Sequence, residues 1–357
     1  MEEFSGDLPM ELVTELLVRL PVKSLVRFRC VCKEWCSLIS SPDFASLHLT
    51  RYHNNDDDSP LLAATIDVSR KFQWMLLSGH TYGNIVHDDY AILNNQKIMA
   101  HIDTCDPRGS PVNGLLLLSK RSVNPAENPF EMELMLWNPM IGKTHKLPAH
   151  CIDYDAYLGL GFSHSRNDYK VVAISRQPKT SVYVYSVSTR TWSGIVEYRE
   201  DIIHEVFSDG FLLVEGIMHF LSVNFFKRKS HMVLFDVSEE AFSYIELPCD
   251  RFDSYAVVYR GMIGLLDFDY REYSCDLWVM ENDRVPCSWH KLYAVDFEPG
   301  TAPRMLCFKE NGEFLLAIEK GGVELRHFER KLVEQIRENS SCLMVYASPY
   351  KESLVLL

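Results

Sequence analysis

An aromatic side chain recurs along most of the chain at intervals of 43 to 50 residues, each time within a short strand pattern. A strand opened by a turn, such as the one at Asn113-Gly114, precedes these positions, and a second strand with a bulky residue follows them. A repeat of about 45–50 residues built from short strands is typical of β-propeller blades. The pattern therefore predicts an all-β propeller whose repeated aromatic residues are Trp137, Tyr185, Phe235, Trp278 and Phe328.

Five units are visible in this repeat, and the segment from Leu61 to Leu77, which contains Trp74, predicts a sixth. An open ring of blades would leave unpaired strand edges exposed. We therefore expect the C-terminal run, Val345-Tyr346 and Leu354-Val355-Leu356-Leu357, to supply a closing strand. The prediction is a propeller of six blades, with seven blades as the alternative.

The N-terminal segment differs from the rest of the chain, because its apolar residues follow a helical period. Two prolines, Pro9 and Pro21, mark the start and the end of the first expected helix. Glu11 lies in its first turn, where a carboxylate suits the positive end of the helix dipole. The other expected helices run from Val22 to Phe28, from Val31 to Ile39 and from Phe44 to Leu49.

A helical segment of this size is too small to bury its own apolar stripe without a metal, a disulfide or a partner. Cys30, Cys32 and Cys36 cluster within it, but no second Cys or His pair stands at zinc-finger spacing, so we expect no metal site. An apolar helical face that docks into a groove of another protein is the better interpretation. In the alternative, the same stripe packs on the chain's own C-terminal domain. We expect both, with one edge of the helices against that domain.

Two prolines, a leucine spacing and a late tryptophan coincide in Leu8-Pro9, Glu11, Leu16, Leu20-Pro21, Lys23-Ser24-Leu25, Arg29-Cys30-Val31-Cys32-Lys33, Trp35 and Ile39. Together these residues resemble the F-box motif. The resemblance implies docking on the Skp-type adaptor of a cullin–RING ubiquitin ligase, with the cullin and RING subunits as indirect partners. Apolar anchors usually dominate the binding energy of an interface. The expected adaptor contacts are Leu8, Pro9, Leu12, Val13, Leu16, Leu17, Leu20, Pro21, Leu25, Phe28, Val31 and Trp35.

The remainder of the chain contains Asn113-Gly114-Leu115-Leu116, Trp137-Asn138-Pro139, Leu160-Gly161-Phe162, Asp168-Tyr169-Lys170-Val171-Val172, Leu234-Phe235-Asp236-Val237 and Ser274-Cys275-Asp276-Leu277-Trp278-Val279-Met280. These segments resemble the plant F-box-associated, kelch-related domain that follows F-boxes. Val112 and Phe220 depart from that pattern, which more often has Cys and Trp there. The resemblance implies a small all-α F-box over residues 1–52, an acidic loop over 53–60 and a kelch-like propeller over 61–357.

Composition restricts the partners that can be expected. A formal net charge of −13 offers no basic surface for nucleic acid or for an anionic membrane. Met1-Glu2-Glu3 does not resemble the start of a secretory signal, and no apolar run has the length of a membrane span. We expect the ten cysteines to be reduced, and the protein to reside in the cytoplasm, the nucleus or both.

The sequence contains none of the common catalytic or cofactor-binding motifs. HExxH, GxSxG and P-loop patterns are absent, and Gly159-Leu160-Gly161 lacks the third glycine of a dinucleotide-binding loop. We therefore expect a protein that is not an enzyme and binds no cofactor. The resemblance implies the substrate-recognition subunit of an SCF (Skp–cullin–F-box) ubiquitin ligase, with a propeller that binds a target protein. The target and the substrate-binding residues are unknown from sequence.

Three alternative functions remain open at this point. A glycan-binding propeller within the same ligase would use tryptophans such as Trp137, Trp278 and Trp289 as a sugar platform. A propeller enzyme would carry the F-box as a passenger. An S-locus F-box protein would recognise a stylar ribonuclease in self-incompatibility, which is a narrower form of the ligase hypothesis.

Overall fold

A computed structural model of the chain describes residues 9–51, 60–77, 91–92, 104–121, 132–150, 152, 156–175, 181–194, 199, 203, 205–206, 211–224, 229–249, 254–281, 288–299, 303–318, 322–330, 332–337 and 343–356. Four helices lead the described chain: α1 Met10–Leu17, α2 Val22–Phe28, α3 Lys33–Ile39 and α4 Pro42–Arg51. They confirm the predicted helical N-terminus, and every element described beyond them is a β-strand.

Local chemistry sets the helix starts. Pro9 and Pro21 stand at the N-caps of α1 and α2, where the missing N–H of proline costs nothing. α3 begins later than expected because Cys32 is extended (φ −154°, ψ 170°), and its Sγ accepts a hydrogen bond from the Trp35 N–H. α4 begins earlier than expected because the Ser41 hydroxyl accepts a hydrogen bond from the Phe44 N–H and so caps the helix.

The described strands are β1 Leu61–Ile66, β2 Phe72–Leu77, β3 Ala91–Ile92, β4 Asp106–Val112, β5 Leu115–Arg121, β6 Met132–Asn138, β7 Lys143–Lys146, β8 Tyr157–Ser163, β9 Asp168–Ser175, β10 Ser181–Ser186, β11 Thr191–Ser193, β12 Glu205–Val206, β13 Leu212–Val214, β14 Ile217–Asn224, β15 Lys229–Asp236, β16 Ala241–Glu246, β17 Ser254–Tyr259, β18 Met262–Asp269, β19 Ser274–Met280, β20 Trp289–Asp296, β21 Arg304–Phe308, β22 Glu313–Ala317, β23 Val323–His327, β24 Leu332–Arg337 and β25 Leu343–Pro349.

These strands form six antiparallel sheets, the blades of a six-bladed propeller, as predicted. The strand orders are β25-β1-β2-β3, β4-β5-β6-β7, β8-β9-β10-β11, β12-β14-β15-β16 with β13 also on β14, β17-β18-β19-β20 and β21-β22-β23-β24. The first strands of neighbouring blades contact one another, as β4 contacts β8 and β25 contacts both β21 and β4. The first strands therefore face the axis of the ring.

The ring is closed by the C-terminal strand. β25 pairs with β1 in antiparallel register, with Leu61 opposite Pro349 and Ala64 opposite Tyr346. This confirms the expectation for Val345-Tyr346. The part of the expectation that included 354–357 was wrong, since the described residues of that run, 354–356, form no strand. The blade edge that β1 would expose is thus covered.

Closure also defines two ends of the ring. β25 ends and β1 begins at the same end, where the Tyr350 N–H donates to the Pro60 carbonyl oxygen at 2.8 Å. We call this end, which carries the helices, the helix-side end. The turn Asn113-Gly114 lies there as well, whereas the turns 67–71 and 270–273 lie at the far end, because strand direction alternates within each blade.

The repeated aromatic residues lie in the contacts between blades. Trp137, Tyr185, Phe235 and Phe328 are buried, and Trp278 is half-buried. They occupy the third strand of their blades or the residue just after it. Trp74 also lies on a third strand, β2, and its ring meets Trp137 edge-on with centroids 4.9 Å apart. The residues that revealed the repeat are therefore core residues.

Candidate functional site

The apolar stripe of α1 is divided between two sides of the helix. Val13 and Leu17 are 8% and 2% exposed and face the core of the helical domain, whereas Leu12 and Leu16 are 51% and 58% exposed. Leu12 and Leu16 are four residues apart and so lie on the same side of the helix. Met10 is also exposed, at 43%, but it stands two residues before Leu12 and so lies on another side of the helix. The outward side of α1 is therefore an apolar row that no described residue of this chain covers.

The other predicted adaptor contacts fall into three groups. Val31 is 61% exposed, just before α3. Pro9 and Pro21 are exposed, whereas Leu20, Phe28 and Trp35 are half-buried. Leu25 is fully buried in the helical domain, and Leu8 lies outside the described residues. In this arrangement Val13, Leu17 and Leu25 stabilise the domain, and Leu12, Leu16 and Val31 are available to a partner.

The helices share one core with the end of the chain. Met140 and Ile141, from the turn between β6 and β7, also pack against this core, so the predicted contact with the domain behind is present. The buried members of this core are Val13, Leu17, Val18, Val22, Leu25, Ile39, Phe44 and Leu354. Leu354 is the notable member, because it comes from the last residues of the chain. The helical segment thus completes its apolar core with a residue from the C-terminus of the chain.

We call residues 350–356 the C-terminal tail. Asn138, fully buried at the end of β6, holds it. Its Nδ2 lies 3.0 Å from the Ser353 carbonyl oxygen, 3.2 Å from the Ser353 hydroxyl and 2.9 Å from the Val355 carbonyl oxygen. Its Oδ1 accepts a hydrogen bond from the Met140 N–H at 3.1 Å. One side chain therefore ties the tail to the turn that contacts the helices.

Gly114 makes room for the same tail. Its φ is +78°, and a Cβ at this position would lie 2.4 Å from the Ser353 hydroxyl oxygen and 2.7 Å from the Lys351 carbonyl oxygen. The Tyr350 hydroxyl donates to the Gly114 carbonyl oxygen at 3.2 Å. A side chain at 114 would require a left-handed backbone and would displace the tail. From sequence, Asn113-Gly114 was predicted only as a turn and Asn138 only as part of the family pattern, and their contact with the C-terminal tail was not predicted.

Glu352 links the tail directly to a helix. Its carboxylate accepts a hydrogen bond from the Val22 N–H at 3.3 Å, at the start of α2, where Pro21 offers no capping side chain. Burial raises the pKa of Glu352, and the Val22 hydrogen bond and the nearby Lys23 ammonium oppose that rise. Sequence reasoning missed this contact, because the two residues lie at opposite ends of the chain.

A buried histidine joins the last helix to the turn that follows the first helix. The Nε2 of His48, in α4, lies 2.9 Å from the Leu20 carbonyl oxygen and donates to it. The His48 side chain is fully buried and stacks on Phe44. Glu15 pairs with Arg51 and Arg19 on the surface. These contacts fix α1 against α4 and so present the apolar row of α1 on a rigid support.

The propeller offers no comparable chemical site in its described part. No group of three or more His, Cys, Asp or Glu side chains is arranged there to hold a metal ion. His219 is buried, with Nδ1 3.1 Å from the Ile217 carbonyl oxygen. Among the described helices, none has the length and apolar character needed to cross a membrane.

The tryptophans considered for a sugar platform lie in packed positions. Trp137 is buried, and Trp278 and Trp289 are half-buried against the core between the fourth and fifth blades. The Trp289 Nε1–H donates to the Glu246 carbonyl oxygen at 3.0 Å. These three side chains therefore do not form an exposed aromatic platform.

Comparison with known proteins agrees with both halves of this architecture. Residues 6–47 match the F-box domain, and residues 63–319 match the F-box associated beta propeller domain. An F-box protein from Arabidopsis thaliana is 29% identical over 310 residues, which cover 80% of this chain and 63% of that protein. An F-box/kelch-repeat protein from the same plant is 25% identical over 306 residues, covering 81% of this chain and 79% of its own length.

The first of these relatives is longer, so this chain spans only 63% of its length. Among solved structures, TolB from Acinetobacter baumannii has a TM-score of 0.53 at 8% identity, covering 86% of this chain and 72% of TolB, which supports the fold alone. The family matches together account for most of the sequence. The chain therefore belongs to the plant F-box proteins in which an F-box is followed by an F-box-associated β-propeller domain.

Proposed function

We propose that this protein is the substrate-recognition subunit of an SCF ubiquitin ligase. Its F-box docks on a Skp-type adaptor, which connects it to the cullin and RING subunits, and its propeller binds a target protein. The observation that carries the proposal is the exposed apolar row Leu12 and Leu16 on a helical domain whose core Leu354 already completes. Val31 adds a third exposed apolar side chain.

The free energy that each leucine contributes to docking can be estimated from its burial. Fully burying a leucine side chain contributes about 1.5–3 kcal/mol, and Leu12 and Leu16 are about half exposed, so each would contribute about 1 kcal/mol on docking. Two such anchors, with Val31 and the exposed prolines around them, form the centre of an interface. Leu17 would contribute nothing directly, because it is already buried.

In this role the chain supplies proximity. The adaptor side holds the ubiquitin-transfer machinery, and the propeller holds the target, so that transfer becomes effectively intramolecular. No acid, base or nucleophile of this chain takes part. We place this activity in the cytoplasm or the nucleus.

The adaptor half is tested by co-purification of the full chain with a plant Skp-type adaptor. Leu16→Asp should abolish the complex, since it places a charge in the apolar contact. Val68→Asp is the matched control, because Val68 is 91% exposed in the turn after β1, at the far end of the ring. Adaptor binding by Leu16→Asp at the wild-type level would refute the assignment.

The target half is tested by affinity capture from plant cells treated with a proteasome inhibitor. Proteins that accumulate with Leu16→Asp but lose their ubiquitin, and that are ubiquitinated with the wild type, are targets. If both forms capture the same proteins with the same ubiquitination, the chain is not a ligase receptor for them.

A further inference from the structure

Charge is segregated in this chain. Residues 16–33 contain five cations, Arg19, Lys23, Arg27, Arg29 and Lys33, and no acidic residue. The whole chain has a net charge of −13, so the residues outside this segment together have a net charge that is more negative by a further five. A basic segment on an acidic protein creates a local field of opposite sign. We call this segment, residues 16–33, the basic segment.

Three of the five cations have partners within the chain. Arg19 pairs with Glu15 at 3.9 Å, and the Arg29 Nε–H donates to the Ser40 hydroxyl at 3.1 Å. The Lys23 ammonium interacts electrostatically with the half-buried Glu352 carboxylate of the C-terminal tail and opposes the rise of its pKa. These contacts explain why a cation stands at each of these positions.

Arg27 and Lys33 have no such explanation. Both are exposed, and neither forms an ion pair with any described residue. Arg27 lies in the last turn of α2, where a cation gains only a little from the helix dipole. Lys33 opens α3, where the dipole disfavours a cation. The nearest acid, Glu34, is held by its own backbone N–H and by the Cys32 side chain, which lower its pKa.

These two cations flank the exposed Val31, which is one of the proposed adaptor contacts. Arg27 stands four residues before Val31 and Lys33 two residues after it, and both side chains are long, so we expect a partner that covers Val31 to meet both charges. We propose that the basic segment is the electrostatic part of the docking surface and that the surface of the adaptor that meets it is acidic. This inference rests on the proposed function and names the chemistry of the partner.

Charges at the edge of an interface chiefly change the association rate and its salt dependence. The apolar row would then hold the complex together, while Arg27 and Lys33 accelerate the encounter. The contributions of the apolar row and of the two cations are separable by experiment, because salt screens the charges and leaves the apolar contact unchanged.

The test measures association of the full chain with a purified plant Skp-type adaptor at several salt concentrations. The double substitution R27E/K33E should lower the association rate constant about 5–10-fold at low salt, and the difference should shrink to about twofold near 0.5 M salt. The substitution R27K should bind as the wild type does. The control is K71E/R271E, which makes the same change of charge at exposed positions of the far end of the ring and should lower the rate about twofold or less.

R27E/K33E with wild-type rate constants at every salt concentration would overturn the inference. Equal loss of binding at low and high salt would also overturn it, because the side chains would then act through shape or folding. So would adsorption of the wild type to phosphatidylserine vesicles that R27E/K33E abolishes while adaptor kinetics are unchanged. If the wild type fails to bind the adaptor at all, the proposed function fails first. If the wild type binds the adaptor and Leu16→Asp does not, the proposed function stands. The comparison of association rate constants between the wild type and R27E/K33E then decides this inference.

Discussion

Replacing Asn138 by alanine should release the C-terminal tail from the propeller and, through it, loosen the helical domain. The Nδ2 amine faces three acceptors on Ser353 and Val355 at 2.9–3.2 Å, and Oδ1 accepts from the Met140 N–H. An amide has only two N–H bonds, so at most two of the three donor contacts are full hydrogen bonds. Asn138→Ala therefore removes about three hydrogen bonds from a buried site.

Each of these bonds contributes about 1 kcal/mol net, and more where a buried partner is left unsatisfied. The free energy of opening the tail should thus fall by about 3 kcal/mol, which corresponds to roughly hundredfold faster amide exchange. Hydrogen–deuterium exchange of residues 350–356 measures this change. Exchange in α1 and α2 should rise as well, because Leu354 completes their core and Glu352 caps α2.

Asn138→Asp separates hydrogen bonding from packing. Aspartate has nearly the shape of asparagine and can still accept from Met140, but it has no N–H to donate and turns a carboxylate toward two carbonyl oxygens. If the donor bonds hold the tail, Asn138→Asp should loosen it at least as much as Asn138→Ala does. Wild-type exchange of the tail in Asn138→Asp would refute the reasoning, since shape alone would then suffice.

Further outcomes follow from burial and charge. Leu17→Ala should lower the stability of the helical domain by about 2–5 kcal/mol, whereas Leu16→Ala should change it by about 0.5 kcal/mol or less, as thermal or urea unfolding of the two variants will show. Lys170 is fully buried, and its Nζ lies 2.8 Å from a carbonyl oxygen and 2.6 Å from a glutamate carboxylate of the next blade. Replacing it by alanine should lower the free energy of unfolding by about 2–3 kcal/mol. The loss is limited to this size because the glutamate keeps some access to water. Lys146→Ala, which breaks a surface pair, is the control and should cost about 0–1 kcal/mol. Because burial raises the pKa of Glu352, the folded state binds its proton more readily than the unfolded state does, so tail stability should fall as pH rises from 4.5 through the raised pKa. Glu352→Gln should remove that pH dependence of tail exchange while keeping an acceptor for the α2 cap.

Much of the fold was predictable because its signals are local or periodic. The aromatic repeat lies in the third strands or just after them, and the turn at Asn113-Gly114 has the positive φ values that an Asn-Gly pair favours. The helix starts were less predictable. A cysteine at the α3 cap and a serine at the α4 cap moved them by two residues, and such side-chain caps compete with several nearby alternatives.

The apolar stripe of α1 was predictable from sequence, but which of its residues would be exposed was not. The spacing of leucines in α1 shows that the helix has a wide apolar stripe, and it does not show which half the domain itself buries. Val13 and Leu17 differ from Leu12 and Leu16 only in which neighbours they meet in three dimensions. One of those neighbours, Leu354, comes from the other end of the chain, and no pattern near α1 could indicate it.

Ring closure and placement of the F-box depend on consecutive residues. β25 pairs with β1 to close the propeller, and the tail that follows it immediately binds Asn138, caps α2 and enters the helical core. Opening the blade that β25 closes should therefore also loosen the helices. For a receptor that acts by proximity, as proposed here, this arrangement is favourable, because a free hinge between the two domains would dilute the target relative to the adaptor. A residue pair such as Asn138 and Ser353 would then influence ubiquitin transfer without touching either partner.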